Sequence, residues 1–313
     1  MKTAWHLLIV AAGLGGLTVL PSAGGAQGRP LSGEIKADGS STVYLITEAM
    51  ATHFKKQHPD VRITVGISGT GGGFKKFAAG ETDLSNASRA IREGEAKACA
   101  DNGIEYVELQ VAWDGLAVVI HPENTWAKTM TLDQLKKIWH PDSTVKKWSD
   151  VDPSWPNAAI KLYSPGTNSG TFDYFTEAVN GKEKVIRRDN VVFSEDDNVL
   201  VQGVAGDKYA IGYFGLAYYL ENKDKLGVVH IGKTAGKYIE PSDRTVLNRT
   251  YPLSRPLYLY VKKASLKRPE VQEFCRFYLR RTDVVSQVKY TPLTSRQQLD
   301  QQEKLEAAIK ELK

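Results

Sequence analysis

The chain has 313 residues, of which 42% are hydrophobic and 25% charged, and its 41 basic against 36 acidic side chains give a formal net charge of +5. This excess is too small, and the Lys and Arg residues too scattered, for a nucleic-acid-binding surface. The two cysteines, Cys99 and Cys275, exclude a metal site built from several thiolates. They allow either one internal disulfide or two separate thiols. The six histidines have no spacing typical of metal ligands.

The N-terminal residues have the pattern of an export signal. Lys2 supplies a positive charge, the stretch from Leu7 to Leu20 is apolar, and small residues follow up to Ala26. The apolar stretch is shorter than the roughly 20 residues that span a bilayer, and no later segment approaches that length. We therefore expect residues 1–26 to be a cleaved signal peptide and the mature protein to be soluble and periplasmic.

From Glu34 onward, short strand patterns alternate with amphipathic helix patterns, which is typical of an α/β fold with a largely parallel sheet. The predicted elements in chain order are a helix at Val43 to Phe54, a strand at Val61 to Ile67, a glycine turn at Gly69 to Gly73 ahead of a short helix, a strand at Asp83 to Leu84, a helix at Glu93 to Asn102, a strand at Leu116 to Ile120, a helix at Leu132 to Trp139, a strand at Ile160 to Tyr163, a helix opening at Ser169, strands at Ala210 to Phe214, Gly227 to Ile231 and Leu257 to Val261, a helix at Pro269 to Arg281 and an exposed amphipathic helix at Arg296 to Leu312. We expect a first lobe over residues 33–120, a second over 121–251, and a return to the first lobe over 252–313.

Four segments place small hydroxyl residues and glycines where a predicted strand meets a helix. They are Asp38 to Thr42, Ser68 to Gly73, Asn86 to Arg89 and Gly166 to Thr171. The first amide groups of a helix lack intrahelical partners and the helix dipole is positive there, so such a turn can hold an anion. Taken alone, each segment is better explained as a helix cap. Four together, at the carboxyl ends of strands in an open α/β sheet, predict a cage for an oxyanion.

At these residues the sequence resembles the PstS-type phosphate-binding proteins of high-affinity phosphate ABC transporters, in a cyanobacterial-like branch. The resemblance is carried by the segments DGSSTVYLITEAM, ISGTGGGFKKF, DLSNASRAI, PGTNSGTFDYF, SEDDNVLVQGV and YAIGYFGLAYY. It implies a type II periplasmic-binding-protein fold, with two α/β lobes and the ligand cleft between them. It also implies inorganic phosphate as the ligand, a membrane permease as the partner, and neither a cofactor nor catalysis. We expect a monomer.

The resemblance and the turn pattern together predict the phosphate-binding donors Ser40, Ser41, Thr42, Thr70, Gly71, Ser88, Arg89, Ser169, Gly170 and Thr171. The family's usual Asp position holds Ser88 and its usual Arg position holds Pro165, so Arg89 is the expected replacement cation. A surface ion pair is the alternative role for Arg89. The carboxylate that accepts the phosphate proton is expected at Asp197, with Asp173 as the alternative.

Three other functions remain open on the sequence alone, and the third of them is a purely adhesive or structural surface protein. Because the usual Asp is displaced, sulfate, molybdate or another oxyanion is an alternative ligand. A secreted phosphatase that uses one of the serines is an alternative of another class, although no serine cluster has a neighbouring His or a Gly-x-Ser-x-Gly elbow. The aromatic residues are expected to pack in the core and between the lobes, with sugar stacking as the alternative.

Overall fold

The computed structural model describes residues 30–167, 169–194 and 196–312. The predicted signal peptide, residues 1–26, lies outside the described residues. The strands are β1 (Gly33–Gly39), β2 (Val61–Val65), β3 (Leu84–Ala87), β4 (Tyr106–Ile120), β5 (Thr129–Thr131), β6 (Lys161–Pro165), β7 (Val191–Ser194), β8 (Ala210–Gly215), β9 (Gly227–Val228), β10 (His230–Gly232) and β11 (Ser254–Lys262). The helices are α1 (Ser41–Lys55), α2 (Gly69–Ala78), α3 (Glu93–Asp101), α4 (Leu132–Trp139), α5 (Trp148–Val151), α6 (Gly170–Asn180), α7 (Asp197–Ala205), α8 (Leu216–Glu221), α9 (Asp243–Leu247), α10 (Pro269–Arg280), α11 (Thr282–Gln287) and α12 (Ser295–Lys310), with a 3₁₀ helix at Lys263–Lys267.

Within the described residues the main sheet has nine strands, in the order β2-β1-β3-β11-β4-β8-β6-β7, with β9 paired to β4. Strands β2, β1 and β3 are mutually parallel, and so are β7, β6 and β8. Strands β4 and β11 run antiparallel to each other in the middle of the sheet. The α/β fold predicted from the sequence is confirmed, but the sheet is not largely parallel, because its parallel strands lie in two groups joined by an antiparallel centre.

Two large hydrophobic cores lie on either side of this centre. One contains the buried faces of α1, α10 and α12 and the first half of β4. The other contains the second half of β4 and the buried faces of α4, α6 and β8. The aromatic residues Trp113, Trp139, Trp148, Tyr213 and Phe214 are all buried in the second core. Each core belongs to one lobe, and the residues at which the lobes begin and end stay a prediction.

Helix α1 shows why the predicted elements form where they do. Its apolar residues Val43, Ile46, Met50 and Phe54 recur at helical spacing and are all buried. The side chain of Ser40 caps the helix by accepting the Val43 amide at 3.4 Å. Periodicity and capping thus agree, and this predicted helix is confirmed.

The expected glycine turn at Gly69 to Gly73 is wrong, because these residues form the first turns of α2. Glycine is a poor helix former, so a tertiary contact must compensate. A Cβ added to Gly73 would lie 2.5 Å from the Gly39 Cα and 3.0 Å from the Asp38 carbonyl oxygen. The missing side chain allows α2 to pack directly on the end of β1, and the buried side chains of Phe74 and Phe77 hold it there.

The two cysteines are buried apart from one another and both thiols are free. Burial raises the pKa of the Cys275 thiol to about 12. The C-terminal helix α12 is less exposed than expected, since Leu305, Ala308 and Ile309 are buried in the first core. A search of the described helices finds none with the length and apolarity to cross a membrane.

The packing of α2 on β1 predicts that Gly73→Ala destabilises the fold. Helix propensity alone would make an alanine here stabilising by about 1 kcal/mol. The clash with the Gly39 backbone should instead lower the free energy of unfolding by about 1 to 3 kcal/mol. Gly94→Ala is the matched control, because Gly94 lies in α3 and an added Cβ meets nothing within 4 Å. Urea unfolding should show Gly94→Ala unchanged or slightly stabilised, and equal effects of the two variants would contradict the packing argument.

Candidate anion-binding site

Three of the four predicted turns meet at the carboxyl end of β1. Gly39 lies opposite Asn86 in the parallel pairing of β1 with β3, and the Ser40 amide donates to the Asn86 carbonyl at 2.9 Å. The Ser68 amide donates to the Gly39 carbonyl at 3.1 Å, which brings the start of α2 to the same place. The beginnings of α1 and α2 and the end of β3 therefore surround one strand end, as expected for ligand sites in open α/β sheets.

Thr70 and Ser88 join two of these turns through their hydroxyl groups. The two side-chain oxygens are 3.0 Å apart, and the Ser88 amide donates to Thr70 Oγ1 at 3.2 Å. Both residues are buried. Gly71 is the next residue in α2, and a Cβ added to it would lie 3.8 Å from Arg89 Nη2. The structure thus brings together Thr70, Gly71, Ser88 and Arg89, as the sequence predicts.

The Arg89 guanidinium is held by a carboxylate of its own lobe. Nη1 and Nη2 each donate to one oxygen of Glu95, both at 2.8 Å. The guanidinium also lies 5.8 Å from the centre of the Phe74 ring. The ion pair that the sequence offered as the alternative role for Arg89 is therefore present. Because this pair fixes the guanidinium plane without using all five N–H donors, binding of an anion by Arg89 stays a prediction.

The fourth turn comes from the second lobe and touches the start of α1. A Cβ added to Gly170 would lie 2.2 Å from Thr42 Oγ1, so no larger residue fits there. The Ser41 hydroxyl donates to Asp173 Oδ2 at 2.9 Å, again between α1 and α6. Ser169 caps α6 by accepting the Thr171 amide at 3.2 Å. The N-termini of α1 and α6 therefore lie against each other.

The two candidate carboxylates occupy different positions around α6. Asp173 is buried and accepts a hydrogen bond from Ser41. Burial raises the pKa of its carboxyl group above the usual value. Asp197 is the half-buried first residue of α7. It lines a cleft of about 260 Å³ together with Ser169, Gly170 and Thr171. Both carboxylates lie near the start of α6, and Asp173 accepts a hydrogen bond from a predicted phosphate-binding residue of the other lobe.

Sequence reasoning missed Arg255, a buried residue of β11. Its Nη2 donates to Thr42 Oγ1 at 2.9 Å and to the Gly170 carbonyl at 3.3 Å. Its Nε lies 3.3 Å from Asp114 Oδ2, and burial raises the pKa of Asp114 while the arginine opposes that rise. The only signal in the sequence was the position of this arginine just before the predicted apolar strand Leu257 to Val261. Its hydrogen-bond partners are distant in sequence, so no local pattern marks it as part of the site.

A search of the described residues for clusters of His, Cys, Asp and Glu that could hold a metal ion finds none. The donors at the site are hydroxyl groups, backbone amides and guanidinium groups, whose O–H and N–H hydrogens bind anions. Two α/β lobes that place helix N-termini against each other across a cleft define a two-lobed binding protein for a small anion.

Comparison with known proteins agrees with this class. Residues 24–282 match the family model described as PBP superfamily domain. The protein SphX of Synechococcus elongatus is 45% identical over 266 residues, which cover 84% of this chain and 78% of that protein. The phosphate-binding protein PstS of Staphylococcus haemolyticus is 45% identical over 252 residues, which cover 80% of this chain and 78% of that protein. The chain belongs to the PBP superfamily and, within it, to the family of SphX and the phosphate-binding protein PstS.

Solved structures show the same relationship. The crystal structure of a possible phosphate-binding protein from Planctomyces limnophilus is 50% identical, with a TM-score of 0.86, and the match covers 89% of this chain and 99% of that one. A putative phosphate ABC transporter substrate-binding protein from Clostridium perfringens, solved with bound phosphate, is 27% identical with a TM-score of 0.58, and the match covers 84% of this chain and 100% of that one. The two-lobed fold implied by the sequence resemblance is confirmed.

The raised pKa of Asp173 predicts a pH-dependent contribution to stability. From the ordinary carboxyl value of about 4 up to the raised value, the folded protein binds more protons than the unfolded chain. The free energy of unfolding therefore falls as the pH rises through this window. Asp173→Asn removes this titration, so its stability relative to the wild type should increase as the pH is raised from about 4. Urea unfolding in phosphate-free buffer checks this, and a difference that does not change with pH would contradict it.

Proposed function

We propose that the protein captures inorganic phosphate between its lobes and delivers it to the membrane permease of an ABC transporter. The observation that carries this proposal is the contact between the N-termini of α1 and α6, where the Ser41 hydroxyl donates a hydrogen bond to Asp173 at 2.9 Å. Helix N-termini and hydroxyl groups stabilise anionic oxygens, and a carboxylate among them suits an anion that still carries a proton. The relatives support the choice of ligand, since the PstS relatives are named as phosphate-binding proteins and one similar solved structure contains bound phosphate.

In this proposal the donors and the acceptor have different tasks. Thr42, one hydroxyl of the Thr70–Ser88 pair and the amides at the start of α6 donate to the phosphate oxygens, and Arg89 supplies positive charge. Capture by hydrogen bonds breaks no covalent bond, so no catalytic group is required. We also propose that the protein acts as a monomer outside the cytoplasm, after removal of residues 1–26.

Asp173 is our choice for the acceptor of the phosphate proton, in preference to Asp197. It is buried, it lies one turn into α6, and it already accepts a hydrogen bond from Ser41. Hydrogen phosphate can donate to such a carboxylate, whereas sulfate has no proton to donate and is repelled by the same charge. The choice of phosphate over sulfate would then depend on one buried side chain.

Arg89→Ala should weaken phosphate binding by about 2 to 5 kcal/mol, because charge-assisted hydrogen bonds to an enclosed anion are lost. Arg89→Lys should restore part of the affinity, since an ammonium group keeps the charge but not the planar fork. Glu95→Gln is the matched control, because it breaks the same ion pair while leaving the arginine in place. Titration calorimetry with phosphate separates the roles. If Arg89→Ala and Glu95→Gln both retain the wild-type affinity, Arg89 is only an ion-pair partner.

Asp173→Asn should reduce the preference for phosphate over sulfate, since the amide can donate to a sulfate oxygen. The measurement is parallel calorimetric titration of each variant with phosphate and with sulfate. Asp197→Asn is the comparison, because Asp197 also lies near the start of α6. A loss of preference in Asp197→Asn alone would move the acceptor to that residue, and equal wild-type affinity for the two anions would refute phosphate as the specific ligand.

A further inference from the structure

Arg255 contacts both halves of the predicted phosphate site with one nitrogen atom. Its Nη2 donates to Thr42 Oγ1 at 2.9 Å and to the Gly170 carbonyl at 3.3 Å. Thr42 lies in the first turn of α1, and Gly170 is the first residue of α6. These two helices belong to different lobes and both begin at predicted phosphate-binding turns. Substitution of Arg255 would therefore remove hydrogen bonds to both sides of the cleft.

The guanidinium group is held in place from several directions. Arg255 lies opposite Asp114 in the pairing of β11 with β4, and its Nε lies 3.3 Å from Asp114 Oδ2. The guanidinium carbon lies 4.0 Å from the centre of the Tyr174 ring. Glu177 Oε2 lies 3.8 Å from Nη1, and this nitrogen makes no hydrogen bond within the described structure. The position of Nη2 is thus fixed by a buried ion pair and an aromatic face.

The contact with Thr42 has a chemical consequence for the hydroxyl group. A threonine hydroxyl has one proton to donate and two acceptor positions. Because an N–H of Arg255 occupies an acceptor position of Thr42 Oγ1, the threonine proton must point away from Arg255. The Thr42 hydroxyl is therefore set as a donor beside a positive charge. Ser41 differs, since its proton is directed to Asp173.

We propose that Arg255 is a positioning residue of the phosphate site, which orients the Thr42 hydroxyl as a donor and holds the starts of α1 and α6 at a fixed distance. This inference rests on the proposed phosphate-binding function. Arg255 acts through Thr42 and Gly170, and it belongs to none of the four turns that the sequence marks as anion-binding. The chemistry recognised is a tetrahedral oxyanion that accepts a hydrogen bond from Thr42.

A double-mutant cycle with Arg255→Lys and Thr42→Val tests this role by titration calorimetry with inorganic phosphate. Each single variant should weaken phosphate binding about 10- to 100-fold, because each removes the oriented donor. The double variant should bind phosphate with about the same affinity as the single variant that binds it less tightly, since both substitutions act on one hydrogen bond. The proposal would be overturned if the loss of phosphate affinity in the double variant equalled the product of the two single losses. An unchanged phosphate affinity in Arg255→Lys would also overturn it.

Arg187→Lys is the matched control for the loss of a buried arginine. Arg187 is buried, and it donates to the Ile138 and Val145 carbonyls at 3.2 and 2.7 Å, away from the four turns. This variant should lower the melting temperature of the phosphate-free protein and leave the phosphate affinity unchanged. A parallel loss of phosphate affinity in Arg187→Lys would show that any buried arginine has this effect and would overturn the assignment to Arg255.

Asp114→Asn provides a second route if Arg255→Lys does not fold. It keeps the arginine but removes its anchor, so phosphate binding should weaken at least about fivefold as the guanidinium loses its fixed orientation. Unchanged affinity in Asp114→Asn would then overturn the proposal. The experiments distinguish failure of the proposed function from failure of the role assigned to Arg255. A wild-type protein that does not bind phosphate refutes the proposed function, whereas wild-type binding with unaffected Arg255→Lys refutes only the role of Arg255.

Discussion

The close contact between Gly170 and Thr42 is the constraint on which the rest of the site depends. The start of α6 can reach the start of α1 only because position 170 has no side chain, since a Cβ there would overlap the Thr42 hydroxyl. The hydrogen bonds from Ser41 to Asp173 and from Arg255 to Thr42 follow from this approach. A Cβ at position 170 would also lie 2.5 Å from the Thr42 Cα, so the starts of α1 and α6 would have to move apart.

A second glycine, Gly73, allows similarly close packing in the first lobe. Gly73 allows α2 to lie on the end of β1, so that Thr70 meets Ser88 and the first amides of α2 face the same strand end as those of α1. Helix N-termini provide partial positive charge that needs no counter-ion, whereas a full charge in a buried place requires a partner. The buried or half-buried arginines follow this rule, because Arg89 is paired with Glu95 and Arg255 with Asp114. Both arginines at the site are therefore paired with a carboxylate.

In the proposed function, Asp173 allows the site to discriminate between anions of equal shape. A carboxylate beside the anion is unfavourable for every fully ionised ligand and favourable only for one that can donate a proton. Burial sharpens this distinction, because electrostatic interactions are stronger where water is excluded. The raised pKa of Asp173 reports the same desolvation. In this proposal affinity and selectivity come from different groups, with hydroxyls and amides giving the first and a carboxylate the second.

The sequence by itself determined the fold class and the local elements. Val43, Ile46, Met50 and Phe54 predict α1 because helical periodicity is a local property, and the helix-capping serines mark where α1 and α6 begin. It also identified the four turns, since their residue types and order are visible along the chain. The glycine run was misinterpreted as a turn because the contact that makes it helical is with a residue about 34 positions earlier in sequence.

Only the tertiary structure decided which polar residues face each other. Arg255 meets Thr42 across 213 positions of sequence and Asp114 across 141, and no local pattern encodes such pairings. The burial of Asp173 and its hydrogen bond to Ser41 were also beyond the sequence, because they depend on the packing of α6 against α1. Local spacing fixes periodicity and caps, whereas the approach of two helices across a cleft depends on how strands β4 and β11 align the lobes.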